Sequence, residues 1–217
     1  MSDITPRILP LPRAEWTDDA REVFAYWGEP NSWEEGSKTN IIMVMANHPD
    51  LGKVYNIWGK QLLMHNTLST RYLELVVLRV AWLVKSAYEW HNHVGYAMNA
   101  GLTFDEISAI RTFPEGGAWN AQDEAVLRSV GELIDNGTLS DSTWQLLGTF
   151  LDKRQMMDLV FSIGHYVMTS WALSSFGVEI EGGADRIGFD LKTASGREVG
   201  RTYKPGEAEN WTETRGY

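Results

Sequence analysis

"LSTRYLELVVLRVAWLVKSAYEWHNHVGYAMNAGLTFDEISAI", residues 68–110, decides the fold. Two apolar helical stretches meet here across a short polar corner, and a third begins directly after them. Ser69 is suited to cap the first, with Leu68 before it and Leu73 at the fourth helical position forming a hydrophobic staple. From Tyr72 to Val84 the pattern is apolar nearly all round, as in a central helix or one shared between subunits. Glu74 and Arg79 are the exceptions, and an acid embedded in such a helix needs a partner. The second helix starts at Ser86 and stops before Gly101, a residue suited to the left-handed position after a helix end. Thr103 and Glu106 have capping-box spacing, so a short helix follows at once.

Outward from this core the period of 3.6 continues. Trp16, Ala20, Val23, Phe24 and Trp27 describe one amphipathic helix, followed by the polar loop "GEPNSWEEGSKTN". In the next helix Leu51, Val54, Tyr55, Trp58 and Leu62 share an apolar face. Residues 120–136 before Gly137, 140–150, and 152–176 closed by Gly177 give three more, the last with Met156, Leu159, Val160, Ile163 and Val167 at core spacing. Strand alternation and hairpin turns are missing, so the expected class is all-α, a single-domain helical bundle over residues 1–180. From 181 to 217 the composition turns polar and glycine-rich. That segment is expected to be a loose tail, or an arm wrapping a neighbouring subunit through Ile187, Phe189, Leu191, Tyr203 and Trp211.

Composition narrows the function. With 217 residues and 43% hydrophobic content, the chain can build one substantial core. A formal charge of −10 argues against nucleic-acid binding, which needs a surplus of Lys and Arg. The most apolar run, Leu73 to Val84, is well short of the roughly 20 residues that cross a bilayer, and the proline-bearing N-terminus has no secretory core. A cytoplasmic protein without membrane partners is expected. The absence of cysteine excludes disulfides, thiolate metal sites and thiol redox chemistry. Neither a G-x-S-x-G elbow nor a glycine-rich phosphate loop occurs.

The chemistry concentrates in "SAYEWHNH", Ser86–His93. Ser86 and Glu89 have the S-x-x-E spacing of a capping box, which explains both without any chemistry. His93 lies four residues after Glu89 on the same face and forms with it a natural acid/base couple. His91 points elsewhere, so "HNH" lacks the i, i+4 spacing of a two-histidine metal clamp, and no metal site is expected. His48 and His65 fall at helix ends. His165 can enter a pocket beside Tyr166, with core packing as its other reading, and the numerous tryptophans supply core or pocket walls.

Together these residues resemble the carboxymuconolactone decarboxylase and alkylhydroperoxidase D-like family. The pattern there is an R-x-x-E-L helix, then C-x-x-C-x-x-x-H-x-x-x-A opening the next helix, then a glycine and a short acidic helix; "HPDL" and "DLVFSIGHYVMTS" are similar too, so the resemblance covers residues 40 to 178. It implies an all-helical homo-oligomer, a trimer or a multiple of one, with dimers open. The family's relay glutamate falls on Glu74 and its histidine on His93, while the two cysteines fall on Ser86 and Glu89. Serine and glutamate cannot reduce a peroxide and form a disulfide, so the resemblance implies that thiol peroxidase activity is lost.

Two functions of different class follow. The first is a cofactor-independent acid/base enzyme, a lyase that is decarboxylase-like or an isomerase-like enzyme, acting on a small organic acid, lactone or enol. His93 is its general acid/base, Glu89 the partner, Glu74 a second relay carboxylate and Ser86 a hydrogen-bond donor; Arg79, Trp90, Tyr88 and His165 are expected to bind substrate. The second is a non-catalytic helical oligomer that binds an apolar ligand or a partner protein. A metal-dependent enzyme using Glu74, Glu89 and His93 is a third possibility.

Overall fold

A computed structural model describes residues 6–182. Residues 181–182 apart, the tail and the arm proposed for it lie outside that range. The described residues are α-helical without strands, as expected, and divide into two compact units.

The larger unit spans Thr67–Trp171. It holds α5 (Thr70–Leu83), α6 (Ala87–Asn99), α7 (Phe104–Ile110), α8 (Ala121–Asn136), α9 (Asp141–Leu147) and most of α10 (Lys153–Phe176). Helix α5 is its axis: every residue from Leu73 to Trp82 is buried, as the all-round apolar pattern requires. Ser69 caps it by accepting the Tyr72 N–H at 3.2 Å. The corner into α6 is tight. The Ser86 N–H donates to Ala81 O at 2.8 Å and Lys85 adopts φ +62, a left-handed turn without glycine. That corner folds α6 back along α5. The capping box of α7 forms as read, with Thr103 and Glu106 each bonding the other's backbone N–H. Asn120 caps α8 through two backbone N–H groups at 2.9 Å, and Gly137 ends it at φ +72.

Arg71, on the first turn of α5, ties three helices together. Its guanidinium reaches Asp123 of α8 at 2.7 Å and also Glu106 of α7. Burial pushes the Glu106 carboxyl up, but hydrogen bonds from Arg71 and Thr103 outweigh it and hold the group below its ordinary range.

The smaller unit comprises residues 6–66 and 172–182. It contains α1 (Asp18–Ala25), α2 (Ser32–Glu35), α3 (Asn40–Met45) and α4 (Pro49–Met64). Two expectations are corrected here. The polar loop after α1 contains the helical turn α2, and "NIIMVM" forms α3. More telling is α4, whose expected core face is turned outward: Leu51, Val54 and Trp58 are exposed, and only Leu62 of that set is buried. The inward face is Gly52, Asn56, Gly59 and Leu62. Backbone approach explains the choice, because a Cβ at Gly52 would meet Val23 methyls at 3.1 Å and Met45 O at 3.0 Å. Asn56 is satisfied in the core by Val23 O at 2.9 Å and the Trp27 indole N–H at 3.0 Å. Small and amide residues let α1 and α3 sit close, leaving the large apolar residues outside.

Candidate functional site

The α5–α6 corner sets His93 beside Glu74, although the two are 19 residues apart in sequence. His93 Nδ1 lies 2.9 Å from Glu74 Oε2, and Nε2 lies 3.5 Å from Glu89 Oε2 one helical turn back. All three side chains are buried. Both ring nitrogens thus face a carboxylate, and an ionised carboxylate can only accept. Nδ1 donates its hydrogen to Glu74, which fixes the ring's orientation; the longer contact at Nε2 is the one at which a proton can be exchanged.

Two tyrosines wall the imidazole. The Tyr166 ring of α10 meets His93 edge-on at a centroid distance of 5.2 Å, and the Tyr96 ring lies at 5.3 Å. His165 packs against the same Tyr166 at 5.1 Å. Burial, and next to it the proximity of His93, push His165 down from 6.5 to about 4, so this ring is neutral at physiological pH.

The capping box expected from Ser86 and Glu89 forms by half. Ser86 Oγ accepts the Glu89 N–H at 3.4 Å, but the Ser86 N–H is already bonded to Ala81 O, and the Glu89 carboxylate is directed to His93. Glu89 is therefore a member of the buried triad rather than a cap. Ser86 is buried as the N-cap of α6.

The remaining expected residues are distributed differently. The Arg79 guanidinium donates to Ile110 O at 2.7 Å and Phe113 O at 3.2 Å, closing the C-terminal end of α7 and the loop beyond. Trp90 is buried against the Trp82 ring of α5, 5.9 Å away, and Tyr88 is buried on α6. Tyr96 escaped notice in the sequence although its position three residues after His93 puts it on the same helix face. Arg71 was visible only as part of R-x-x-E-L. Among the described residues no group of three or more His, Cys, Asp or Glu is arranged to hold a metal ion, and no helix is long and apolar enough to cross a membrane.

The helical architecture is that of the AhpD-like proteins. It is shared with a peroxidase-related protein with an alkylhydroperoxidase AhpD core from Ralstonia eutropha, at 12% identity and a TM-score of 0.68 over 81% of this chain and 92% of that one. A peroxidase-related protein from a Silicibacter species gives 16% identity and 0.66 over 82% and 96%. The debrominase Bmp8 in its apo form gives 16% and 0.62 over 81% and 92%. At the level of sequence, residues 49–129 match the Carboxymuconolactone decarboxylase family, as the resemblance of Leu68–Ile110 had indicated. No curated protein sequence matches the chain.

Proposed function

We propose that the triad Glu74–His93–Glu89 is the acid/base centre of an enzyme that transfers a proton to or from carbon in a small lactone, enol or organic acid, without a cofactor. The observation that carries this reading is the buried imidazole with a carboxylate at each nitrogen. Glu74 orients the ring through Nδ1. Nε2 is the atom that delivers or takes the proton, Glu89 beside it stabilises the ring while it carries that proton, and water restores the proton between turnovers. In a decarboxylation the substrate's C–C bond breaks, carbon dioxide leaves, the electron pair stays on carbon, and the Nε2 hydrogen passes to that carbon. General acid/base help of this kind typically contributes about 10²- to 10⁴-fold in rate.

The surroundings refine the substrate class. A further carboxylate brought to Nε2 would meet Glu89, so a lactone or enol that carries no more than the one carboxylate it loses is favoured over a multiply charged acid. Tyr96 and Tyr166 suit a flat ring. The match to the decarboxylase family over residues 49–129 and the fold shared with a debrominase support an enzyme of this kind. The test is carbon-bound hydrogen exchange: lactones and enol acids are incubated with the protein in deuterium oxide and followed by proton NMR. Exchange by the wild type that falls at least about 100-fold in His93→Gln is expected. Equal exchange by both would remove His93 from the chemistry.

A further inference from the structure

His93 is enclosed, yet a substrate atom must come within about 3–3.5 Å of Nε2 for a proton to pass. The residue is only 6% exposed, and four side chains stand around its ring. Glu89 lies one turn back on α6, Glu74 comes from α5 and Tyr166 from α10. Tyr96 is the fourth, three residues further along α6, with its ring centroid 5.3 Å from the imidazole and its plane tilted by 48°. One of the four has to give way before anything reaches the nitrogen.

Burial separates them. Glu74, Glu89 and Tyr166 are 4%, 6% and 5% exposed, so displacing any of them disturbs packed interior. Tyr96 alone of the four is half-buried. It stands on the strip of α6 that meets water: Asn92, one turn before it, is half-buried, and Asn99, one turn after it, is exposed. Gly95, its half-buried neighbour, has no side chain to obstruct a swing. A helical tyrosine has two favoured χ1 wells, so a flip between them carries the phenol ring off the imidazole and onto that strip without moving the backbone.

We infer that Tyr96 is the gate of the Glu74–His93–Glu89 centre and sets the size of ring that the centre admits. The substrate half of the inference rests on the acid/base reading of His93; the gate itself rests on geometry alone. With the phenol ring against the imidazole, Nε2 is shut off from solutes. When it swings out, the space it vacates takes a single flat ring of about its own size, with Tyr166 as the wall that stays, and a fused pair of rings is excluded. An open state populated at about 0.1–10% slows any reaction at Nε2 by about 10- to 1,000-fold relative to an ungated ring.

Diethyl pyrocarbonate, which acylates a neutral imidazole nitrogen, reads this access without a substrate. Labelling of the full-length protein is followed residue by residue by peptide mass spectrometry, at a pH where the rate has levelled off, so that a displaced titration midpoint does not enter. Tyr96→Ala should raise the rate at His93 by at least about tenfold, and Tyr96→Phe, which keeps the ring, should leave it within about twofold. His91 and His165, 0% and 6% exposed, should keep their wild-type rates in both variants. An unchanged His93 rate in Tyr96→Ala overturns the gate. A rise shared by His91 and His165 does the same, because it reports a loosened fold, as does a rise in Tyr96→Phe. For the substrate half, Tyr96→Ala should gain at least about tenfold in carbon-bound hydrogen exchange of a fused bicyclic enol relative to a single-ring one. The same ratio in both proteins would deny Tyr96 its control of size. Exchange that persists in His93→Gln sinks the acid/base reading instead, and the labelling result stands apart from it.

Discussion

Replacing His165 by glutamine should flatten the acid limb of the protein's stability curve. In the folded chain His165 titrates at about 4, whereas in the unfolded chain it returns to 6.5. Between these values the unfolded state binds the proton and the folded state does not. Stability therefore rises with pH across the window and falls as the solution is acidified from 6.5 toward 4. Each pH unit inside the window is worth about 1.4 kcal/mol, so acidification from pH 6.5 to 4.5 costs the wild type roughly 2–3 kcal/mol. The Glu106 and Glu132 carboxyls are held below their ordinary range, so their contribution is lost only at lower pH and leaves this window to the histidine. The assay is urea unfolding at half-unit pH steps from 4.5 to 8. With a slope of about 2–3 kcal/mol per molar urea, the wild-type midpoint should move by about 1 M more than that of His165→Gln. The comparison is of slopes against pH, so a uniform loss of stability in the variant does not disturb it. Parallel curves for the two proteins would show that His165 is not the buried neutral base described above.

Ser86→Ala removes the α6 cap and should cost about 1 kcal/mol, a fall of about 2–4 °C in Tm by calorimetry; an unchanged Tm would show that the Ser86 hydroxyl does not hold the start of α6. Arg71→Met leaves the buried Asp123 carboxylate without its ion-pair partner and should destabilise the fold by at least about 2 kcal/mol in urea, partial exposure of Arg71 keeping the loss below the 3–5 kcal/mol or so of a fully buried pair. Gly52→Ala gains about 1 kcal/mol of helix propensity but drives a methyl into Met45 O and Val23, so a net loss of roughly 1–2 kcal/mol is expected; a stabilised variant would show that α4 is not packed as close as described.

Much of this architecture was legible in residues 68–110. The caps at Ser69 and Thr103, the stop at Gly101 and the all-round burial of α5 are local signals, each fixed by a few neighbouring residues. His93 and Glu89 were legible as a pair for the same reason, because i, i+4 geometry is intrinsic to a helix. Glu74 was visible as a buried acid in need of a partner, but spacing does not say which group across the corner meets it. Periodicity also failed to assign faces. In α4 the apolar stripe pointed to Leu51, Val54 and Trp58 as core, whereas the close approach of neighbouring backbone turned Gly52, Asn56 and Gly59 inward. The signal that could have corrected this was the glycine spacing, since a helix with Gly52 and Gly59 on one side invites close packing there. Arg79 was legible as a cation embedded in an apolar helix, but spacing does not reveal the Ile110 and Phe113 carbonyl oxygens to which it donates.

The most direct test of the acid/base triad is a nitrogen-15 NMR titration of the His93 imidazole in the wild type, Glu74→Gln and Glu89→Gln. With a carboxylate at each ring nitrogen, Glu74→Gln alters the Nδ1 resonance and Glu89→Gln the Nε2 resonance, each with a displaced titration midpoint. A His93 ring that titrates identically in all three proteins would contradict it.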